Sequence, residues 1–193
     1  MKKLSIKAHT DEELMLEASN GNRKAFELIF DRYHVKIKLF FKKALWNDQE
    51  LAEDLCQELF IKVIKNFKKY DSSRSFKTWL YSMANNMCKN QYRHQEVRER
   101  AGEELKQATV IKMHHGGEKI DQKIFKEELE KALDELDYKK RTCFILRFKH
   151  DLSIAEIADI EDCSEGTIKS RLFYTLRSLA KTLQPFNPKQ HHG

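Results

Sequence analysis

The chain contains few of the residues that interrupt helices. Among its 193 residues there are only two prolines, at positions 185 and 188, and six glycines. Because proline breaks helix interiors and clustered glycines mark turns, this scarcity favours long helices. No segment alternates apolar and polar residues in the manner of a half-buried strand. These absences predict an all-α protein.

Long apolar runs and paired cysteines are missing as well. No stretch is long and apolar enough to cross a membrane, and the first residues lack a signal-peptide pattern. The four cysteines, Cys56, Cys88, Cys143 and Cys163, are far apart, and the first three fall on apolar helical stripes. This spacing predicts buried free thiols in a reducing compartment. We therefore expect a cytoplasmic protein without direct membrane insertion.

Charge is abundant, with a modest positive excess. Charged residues make up 34% of the chain and the net charge is +6, which favours a polyanionic partner. The sequence has no glycine-rich phosphate loop, no H-E-x-x-H motif and no C-x-x-C pair. We therefore do not expect an enzyme, and we expect neither a metal nor another cofactor.

Helical periodicity is interrupted once along the chain. Apolar residues recur at helical spacing over residues 10–94 and again over 124–184. Between them, residues 95–123 mix acidic and basic side chains and contain a Gly-Gly pair. The pattern predicts two small helical domains joined by a flexible linker at 95–123, with a tail at 185–193.

Residues 152–183 predict two helices joined by a tight turn. Ser153 and Glu156 form a capping-box pattern, and Ser164 is placed to cap the second helix. Four apolar residues of that helix recur at helical spacing and are expected to face the core: Ile168, Leu172, Leu176 and Leu179. Its other residues suit base edges, thymine methyls and phosphates: Thr167, Lys169, Ser170, Arg171, Phe173, Tyr174 and Arg177. This is the pattern of a helix-turn-helix whose second helix enters a DNA major groove.

Charge changes sign sharply within the first domain. Residues 44–60 hold five acidic residues and no lysine or arginine, whereas residues 62–93 hold eight basic residues and one acidic residue. This boundary indicates two different partners on adjoining surfaces. One helical face of the acidic part carries Asp54, Gln57, Glu58 and Ile61. The mixture suits a protein contact, and its periodicity alone fits a solvated helix face equally well.

The basic part combines a loop at residues 68–75 with a helix predicted over 76–93. The candidate DNA contacts in the loop are Lys69, Tyr70, Ser72 and Arg74. On the helix, the face assigned to solvent carries Tyr81, Asn86, Lys89, Tyr92 and Arg93. Bases stack on aromatic rings, amides bond base edges, and basic side chains hold phosphates. The sequence therefore predicts a surface for nucleic acid, with a loop that could hold an unpaired base.

Three segments, taken in this order, resemble the extracytoplasmic-function group of bacterial sigma-70 family sigma factors. The segment AEDLCQELFIKVIKNF at 52–67 is similar to the family's core-polymerase-binding helix. The segment SFKTWLYSMANNMCKNQYR at 75–93 is similar to its minus-ten and promoter-melting region. The helix-turn-helix is similar to its minus-thirty-five domain. The resemblance covers about residues 12–94 and 129–183.

The resemblance implies a specificity subunit that directs bacterial RNA polymerase to promoters. The acidic face with Ile61 would bind the clamp helices of the largest subunit, and the flap region would be a further contact. The 68–75 loop would capture a flipped base, and an anti-sigma factor is implied as a partner. Ser82 stands where many relatives carry arginine, and Tyr174 where a basic residue is common.

A second reading is a free-standing helix-turn-helix regulator with an N-terminal sensing or dimerisation domain. Such a protein would bind a duplex site without polymerase, and its dimers would prefer two half-sites one helical turn apart. The face from residue 81 to residue 93, which suits single strands, argues against it, because such a regulator does not need that face.

Overall fold

The computed structural model describes residues 6–100 and 120–186. In these two ranges the regular structure is helical, with no β-strand, which confirms the predicted fold class. The α-helices are α1 (Asp11–Ser19), α2 (Arg23–Ala44), α3 (Gln49–Lys65), α4 (Phe76–Arg100), α5 (Ile120–Asp134), α6 (Tyr138–Phe148), α7 (Ile154–Glu161) and α8 (Glu165–Leu183). None of these helices is long and apolar enough to cross a membrane.

The helices form two units. The first contains α1 to α4, and the second contains α5, α6, α8 and most of α7. Of the segment predicted as a linker, residues 95–100 continue α4 and residues 120–123 begin α5, while 101–119 lie outside the described residues. The tail predicted at 185–193 is described only for its first two residues.

Local capping sets the boundaries of the helices in the first unit. Thr10 and Glu13 form a capping box at the start of α1, in which each side chain accepts a hydrogen bond from the other residue's backbone N–H. Asn22 caps α2, and Asp48 caps α3 at 3.0 Å from the N–H of Leu51. These short-range contacts are readable from the sequence because each joins residues three positions apart.

The core of the first unit lies between α2 and its three neighbours. Its largest fully buried side chains are Leu14, Met15, Ile29, Ile37, Phe40, Phe41, Leu45, Leu59, Phe76, Leu80 and Tyr81. Arg32 and Tyr33 on α2 both donate hydrogen bonds to the carboxylate of Asp11 on α1. The Tyr33 ring also packs edge-on against Phe76 at 5.4 Å. Apolar burial and this shared carboxylate hold α1 and α4 against α2.

A buried arginine closes the end of α5 in the second unit. The Arg141 guanidinium on α6 donates to the backbone carbonyls of Leu133 and Leu136, each at 3.0 Å, and to that of Asp134. The last carbonyls of a helix lack partners within it, so these bonds satisfy both the helix end and a guanidinium that is almost fully buried. An apolar cluster lies beside it: Ala132, Leu133, Phe144, Leu179 and Leu183.

The turn between α7 and α8 has the predicted caps. Ser153 and Glu156 form the capping box of α7, with backbone-to-side-chain bonds of 2.8 and 3.2 Å. Asp162 adopts a left-handed φ of 54°, which a short polar residue tolerates better than most. Ser164 accepts from the N–H of Thr167 at 3.2 Å and so begins α8. The local geometry is that of the predicted helix-turn-helix.

One core assignment on α8 is wrong. Leu176 was predicted to face the core, but its side chain is 43% exposed, and Thr175 is fully buried in its place. The Thr175 hydroxyl donates to the carbonyl of Arg171 at 2.8 Å, so the polar group is satisfied within the helix. A threonine with an internal hydrogen-bond partner can therefore occupy a position where periodicity favoured leucine.

The cysteines agree with the prediction of free thiols. None of the four, all of which lie in the described residues, forms a disulfide; Cys56, Cys88 and Cys143 are buried, whereas Cys163 is partly exposed. The Cys56 thiol lies 3.5 Å from the carbonyl of His34. Burial, with a smaller effect from Glu53, raises the pKa of Cys56 to about 11.

Candidate protein and nucleic-acid interfaces

The acidic face of α3 is exposed along its length. The buried side of the helix carries Ala52, Leu55, Cys56, Leu59, Phe60 and Val63. The predicted contact residues Asp54, Gln57, Glu58 and Ile61 all lie on the opposite side, and Ile61 is 50% exposed. Exposure of a large apolar side chain to water is unfavourable, and a bound protein would bury it while the surrounding carboxylates orient the contact. This composition therefore suits a protein partner.

Further apolar side chains are exposed on the same unit. The spacing of apolar residues predicts Ile64 on the buried stripe of α3, which is wrong, and the sequence did not single out Phe30. Ile64 on α3 is 47% exposed and Phe30 on α2 is 37% exposed. The Phe30 ring stacks on His34 at 4.7 Å and meets Phe60 edge-on at 4.8 Å. Sequence spacing could not predict that Phe30 is exposed, because an aromatic residue near a helix–helix contact is normally assigned to the core.

The loop before α4 is closed by short-range hydrogen bonds. Asp71 accepts from the backbone N–H of Ser73 at 3.0 Å and from its hydroxyl at 2.8 Å, and these two bonds hold the pKa of the Asp71 carboxyl below its usual value. The N–H of Arg74 donates to the carbonyl of Asp71 at 3.0 Å. Lys69, Ser72 and Arg74, three of the predicted DNA contacts, are exposed on this loop.

Tyr70, the fourth predicted contact of the loop, is only half exposed. Its hydroxyl donates to the carbonyl of Arg74 at 2.5 Å. Its ring lies 5.1 Å from Trp79 and 5.8 Å from Phe76, both on α4. Burial, followed by the nearby carboxylates of Glu12 and Asp71, raises the pKa of Tyr70 to about 12. The hydroxyl therefore stays protonated and able to donate at neutral pH.

The exposed side of α4 carries part of the predicted nucleic-acid surface. Asn86 and Arg93 are exposed, and Lys89 is partly exposed. Tyr92 is half-buried, because its hydroxyl donates to the carbonyl of Ala44 at 2.8 Å and its ring lies 4.8 Å from Trp46. The Tyr92 hydroxyl is thus bonded to the end of α2, and the exposed part of this side chain belongs to the ring.

Tyr81 does not lie on this exposed side. The sequence placed it on the face not used by the core, but its side chain is fully buried and its ring meets Phe40 edge-on at 5.6 Å. The prediction that Tyr81 faces solvent is therefore wrong. Tyr81 follows Leu80 at the border of the apolar stripe, and the bulky Phe40 of α2 extends the core contact across that border.

Helix α8 presents an exposed aromatic and basic surface. Six predicted contacts are exposed there: Thr167, Lys169, Ser170, Phe173, Tyr174 and Arg177. Phe173 and Tyr174 are 60% and 59% exposed, and their rings meet edge-on at 5.4 Å. Lys169 forms an exposed ion pair with Glu165 at 3.2 Å. Exposed adjacent aromatic rings beside cations suit contacts to base edges and methyl groups.

Arg171, the seventh predicted contact, is half-buried. It lines an open cleft of about 560 Å³ together with Lys140 of α6. Burial opposes the charged form of Asp137, but hydrogen bonds from Lys140 and the charges of Lys140 and Arg171 together lower the pKa of this carboxyl. Lys140 carries no sequence signal for this cleft, because α6 reaches it only through folding. Among the described residues, no cluster of His, Cys, Asp and Glu is arranged to hold a metal ion.

Two family profiles match the segments of the chain that carry these surfaces. The profile of Sigma-70 region 2 matches residues 29–98, which hold the α3 face and the candidate nucleic-acid surface before and on α4. The profile of Sigma-70, region 4 matches residues 126–179, which include α7 and most of α8, the two helices of the helix-turn-helix. The two profiles therefore cover, in order, the segments that carry the exposed candidate surfaces.

Full-length relatives and solved structures agree with these profiles. The chain is 31% identical over 186 residues to the ECF RNA polymerase sigma factor SigW of Bacillus subtilis, covering 87% of this chain and 94% of that protein. It is 29% identical over 186 residues to the RNA polymerase sigma-H factor of Pseudomonas aeruginosa, covering 91% and 94%. The sigma factor RpoE in complex with the anti-sigma factor NepR from Bartonella quintana shares its fold, with a TM-score of 0.70, 24% identity and coverage of 83% and 98%. CnrH, solved with the cytosolic domain of CnrY, has a TM-score of 0.68, 18% identity and coverage of 91% and 97%.

The helical fold and the two matched profiles together define the class of protein. The chain belongs to the extracytoplasmic-function group of the sigma-70 family of bacterial RNA polymerase sigma factors. It binds core RNA polymerase and promoter DNA and directs the initiation of transcription. The free-standing regulator is not favoured by these comparisons.

Proposed function

We propose that three surfaces of this sigma factor carry three separate steps of initiation. Helix α3 binds core polymerase, the 68–75 loop with α4 binds the minus-ten element, and α8 binds the minus-thirty-five element. The observation that carries this assignment is that the exposed surfaces differ in chemistry: carboxylates with Ile61 on α3, and aromatic and basic groups on α8. The domains at 10–94 and 124–184 are proposed as the minus-ten and minus-thirty-five units.

The contact with polymerase is made by Asp54, Gln57, Glu58 and Ile61. These side chains dock on the clamp helices of the largest polymerase subunit, with the flap region as a further contact of the chain. An exposed isoleucine surrounded by carboxylates and an amide supplies both apolar area and orientation, which is the composition of a specific protein interface.

The minus-ten contact combines positive charge with a closed loop. Lys69, Ser72 and Arg74 are exposed on the loop, and Asn86 and Arg93 are exposed on α4. Extruding a base costs a few kcal/mol, and holding the extruded base offsets part of that cost. Promoter opening is therefore driven by binding, and the chain carries out no bond chemistry of its own.

The minus-thirty-five contact is made by the exposed face of α8. Phe173 and Tyr174 contact base edges or methyl groups, and Lys169, Ser170 and Arg177 contact bases and phosphates. Because the two DNA contacts are joined through one chain and one polymerase, forming the first raises the effective concentration of the second. Free of polymerase, the chain should bind DNA weakly and with strong salt dependence.

An anti-sigma factor is a further proposed partner. The sigma factor RpoE, which has this fold, is in complex with the anti-sigma factor NepR, and CnrH is in complex with the cytosolic domain of CnrY. The exposed apolar side chains Ile61 and Ile64 supply area for such a partner on the face proposed for polymerase. Binding of the two partners would then be mutually exclusive.

Reconstituted transcription tests the proposed function. Purified chain and bacterial core RNA polymerase are combined on a promoter library, and the start sites are mapped. We expect new start sites that require the chain and share two short upstream elements. Tight duplex binding by the chain alone, with no complex with core polymerase and no start sites, would contradict the proposal and support the free-standing regulator.

A further inference from the structure

The loop before α4 is held in one shape by bonds that exist without DNA. At its start, the N–H of Tyr70 donates to the carbonyl of Phe67 at 3.2 Å. At its end, the N–H of Phe76 donates to the carboxylate of Glu12 at 2.9 Å. Across the middle, the Tyr70 hydroxyl donates to the carbonyl of Arg74 at 2.5 Å. Of the hydrogen bonds named within the loop, the one that spans the most residues, from Tyr70 to Arg74, therefore depends on one phenolic hydroxyl.

The ring of Tyr70 is held by aromatic side chains of α4. It packs against Phe76 and Trp79 of α4, with centroid distances of 5.8 and 5.1 Å. The side chains that follow it in the loop, from Asp71 to Ser75, are all exposed. Tyr70 is thus the residue that joins an exposed loop to the aromatic packing of the helix beneath it.

We propose that Tyr70 is a positioning residue: its hydroxyl fixes the Arg74 carbonyl and keeps the loop in the shape that accepts an extruded base. Its ring is not the platform on which that base stacks. The exposed side chains of Lys69, Ser72 and Arg74 make the contact instead. This inference rests on the proposed role of the loop in binding the minus-ten element.

The expected benefit is preorganisation. A loop that is already closed pays little ordering entropy when a ligand binds, whereas a loop released from its anchor must be ordered at that moment. The Tyr70 hydroxyl is protonated, and so able to donate, over the whole physiological range of pH, as any tyrosine with a pKa of 10 or above is. Asp71 supports the same shape through its two bonds to Ser73.

Two substitutions at one position separate the hydroxyl from the ring. Tyr70→Phe keeps the ring and removes only the donor, and Tyr70→Leu removes both. Each variant is assembled with core polymerase, and its affinity is measured for a fluorescent single-stranded oligonucleotide that carries the nontemplate strand of a promoter the wild-type holoenzyme opens. We expect Tyr70→Phe to weaken binding by about threefold to tenfold, the effect of one net hydrogen bond.

Two further readouts identify positioning. The slope of log affinity against log salt should remain that of the wild type in Tyr70→Phe, because no phosphate contact is lost, whereas Arg74→Ala should reduce it. Amide hydrogen exchange in the loop of the free protein should accelerate in Tyr70→Phe, because the loop opens more often. The matched control is Tyr33→Phe, which removes a tyrosine hydroxyl bond to Asp11 in the same unit and outside the loop.

The outcomes are distinct. Weaker binding in Tyr70→Phe, with an unchanged salt slope and wild-type binding in Tyr33→Phe, supports the proposal. Wild-type affinity in Tyr70→Phe together with a loss in Tyr70→Leu overturns it and assigns the ring as the stacking platform. An equal loss in Tyr33→Phe also overturns it, because general destabilisation then explains both variants. A wild-type holoenzyme that does not bind the oligonucleotide would refute the minus-ten assignment itself, and this inference with it.

Discussion

The carboxylate of Glu12 accepts a hydrogen bond from the backbone N–H of Phe76 at 2.9 Å, across 64 positions of sequence. Glu12 lies in the first turn of α1, and Phe76 is the first residue of α4. The free N–H groups and the positive end of the helix dipole both favour a carboxylate at this place. Glu12 of α1 therefore caps the point where the 68–75 loop ends and α4 begins.

Loss of this cap should destabilise the first unit. We expect Glu12→Ala to lower the free energy of unfolding by about 1 kcal/mol, the typical cost of losing a helix cap, and Glu12→Gln to lower it less because an acceptor remains. Urea unfolding followed by circular dichroism measures the change. Glu27→Ala is the control, since it breaks only an exposed pair with Arg23 and should change stability by less than about 0.5 kcal/mol. Equal effects of Glu12→Ala and the control would show that the cap is not stabilising.

The α3 face makes a prediction about assembly. The double substitution Asp54→Ala and Gln57→Ala should abolish binding to core polymerase and leave the helical circular dichroism and thermal midpoint unchanged, because both side chains are exposed. Binding is measured by co-elution of the chain with core polymerase on size exclusion. Asp31→Ala on α2 removes one exposed carboxylate elsewhere and should co-elute normally. Unchanged co-elution of the double variant would refute the assignment of this face.

The buried position of Tyr81 changes what its substitution should do. Tyr81→Ala empties a large fully buried site and should cost about 3–5 kcal/mol of stability, as large-to-small core substitutions do. Asn86→Ala, on the exposed side of the same helix, should leave stability within about 0.5 kcal/mol. Thermal unfolding of both variants measures this difference. If Tyr81→Ala were instead stable and selectively lost promoter opening, this result would support the original prediction that Tyr81 contacts DNA.

The two arginines of α8 should behave differently. Arg171 is half-buried and its charge acts on Asp137, so Arg171→Ala should lower stability, by roughly 0.5–1 kcal/mol after allowance for solvent screening. Arg177 is exposed, so Arg177→Ala should keep stability and weaken duplex binding similarly at all sequences, with a smaller salt slope. Thermal unfolding and salt titration of holoenzyme binding to duplex promoter separate the two effects. Equal stability of the two variants would contradict the structural role of Arg171.

Thiol labelling tests the burial of the cysteines. At pH 8 the Cys56 thiol, with a pKa of about 11, stays almost entirely protonated and is shielded from reagent, so it should not react in the native protein. The partly exposed Cys163 should react first with Ellman's reagent, and all four thiols should react in concentrated urea. Mass spectrometry of the labelled peptides identifies the sites. Native labelling of Cys56 as fast as Cys163 would show that α2 and α3 separate readily.

Much of this protein follows from short-range sequence patterns. The capping box at Ser153, the cap at Ser164 and the two helices of the helix-turn-helix were all predicted and are present. Each depends on residues three or four positions apart, and a helix brings such residues together whatever surrounds it. The low content of proline and the missing strand patterns predicted the helical fold class for the same reason.

Tertiary packing decided which side chains are free to bind a partner. Spacing gives the angle of a residue around its helix, but a neighbouring helix decides whether that side is covered. Phe40 covers Tyr81, the end of α2 takes the hydroxyl of Tyr92, and Thr175 replaces Leu176 in the core. The cap that Glu12 places on α4 likewise joins residues that only folding brings together. The sequence by itself determined the helices, their caps and the family, since these depend on local contacts and on patterns shared with relatives. Contacts between distant segments determined which of the candidate residues face solvent, because burial depends on neighbours that the local sequence does not specify.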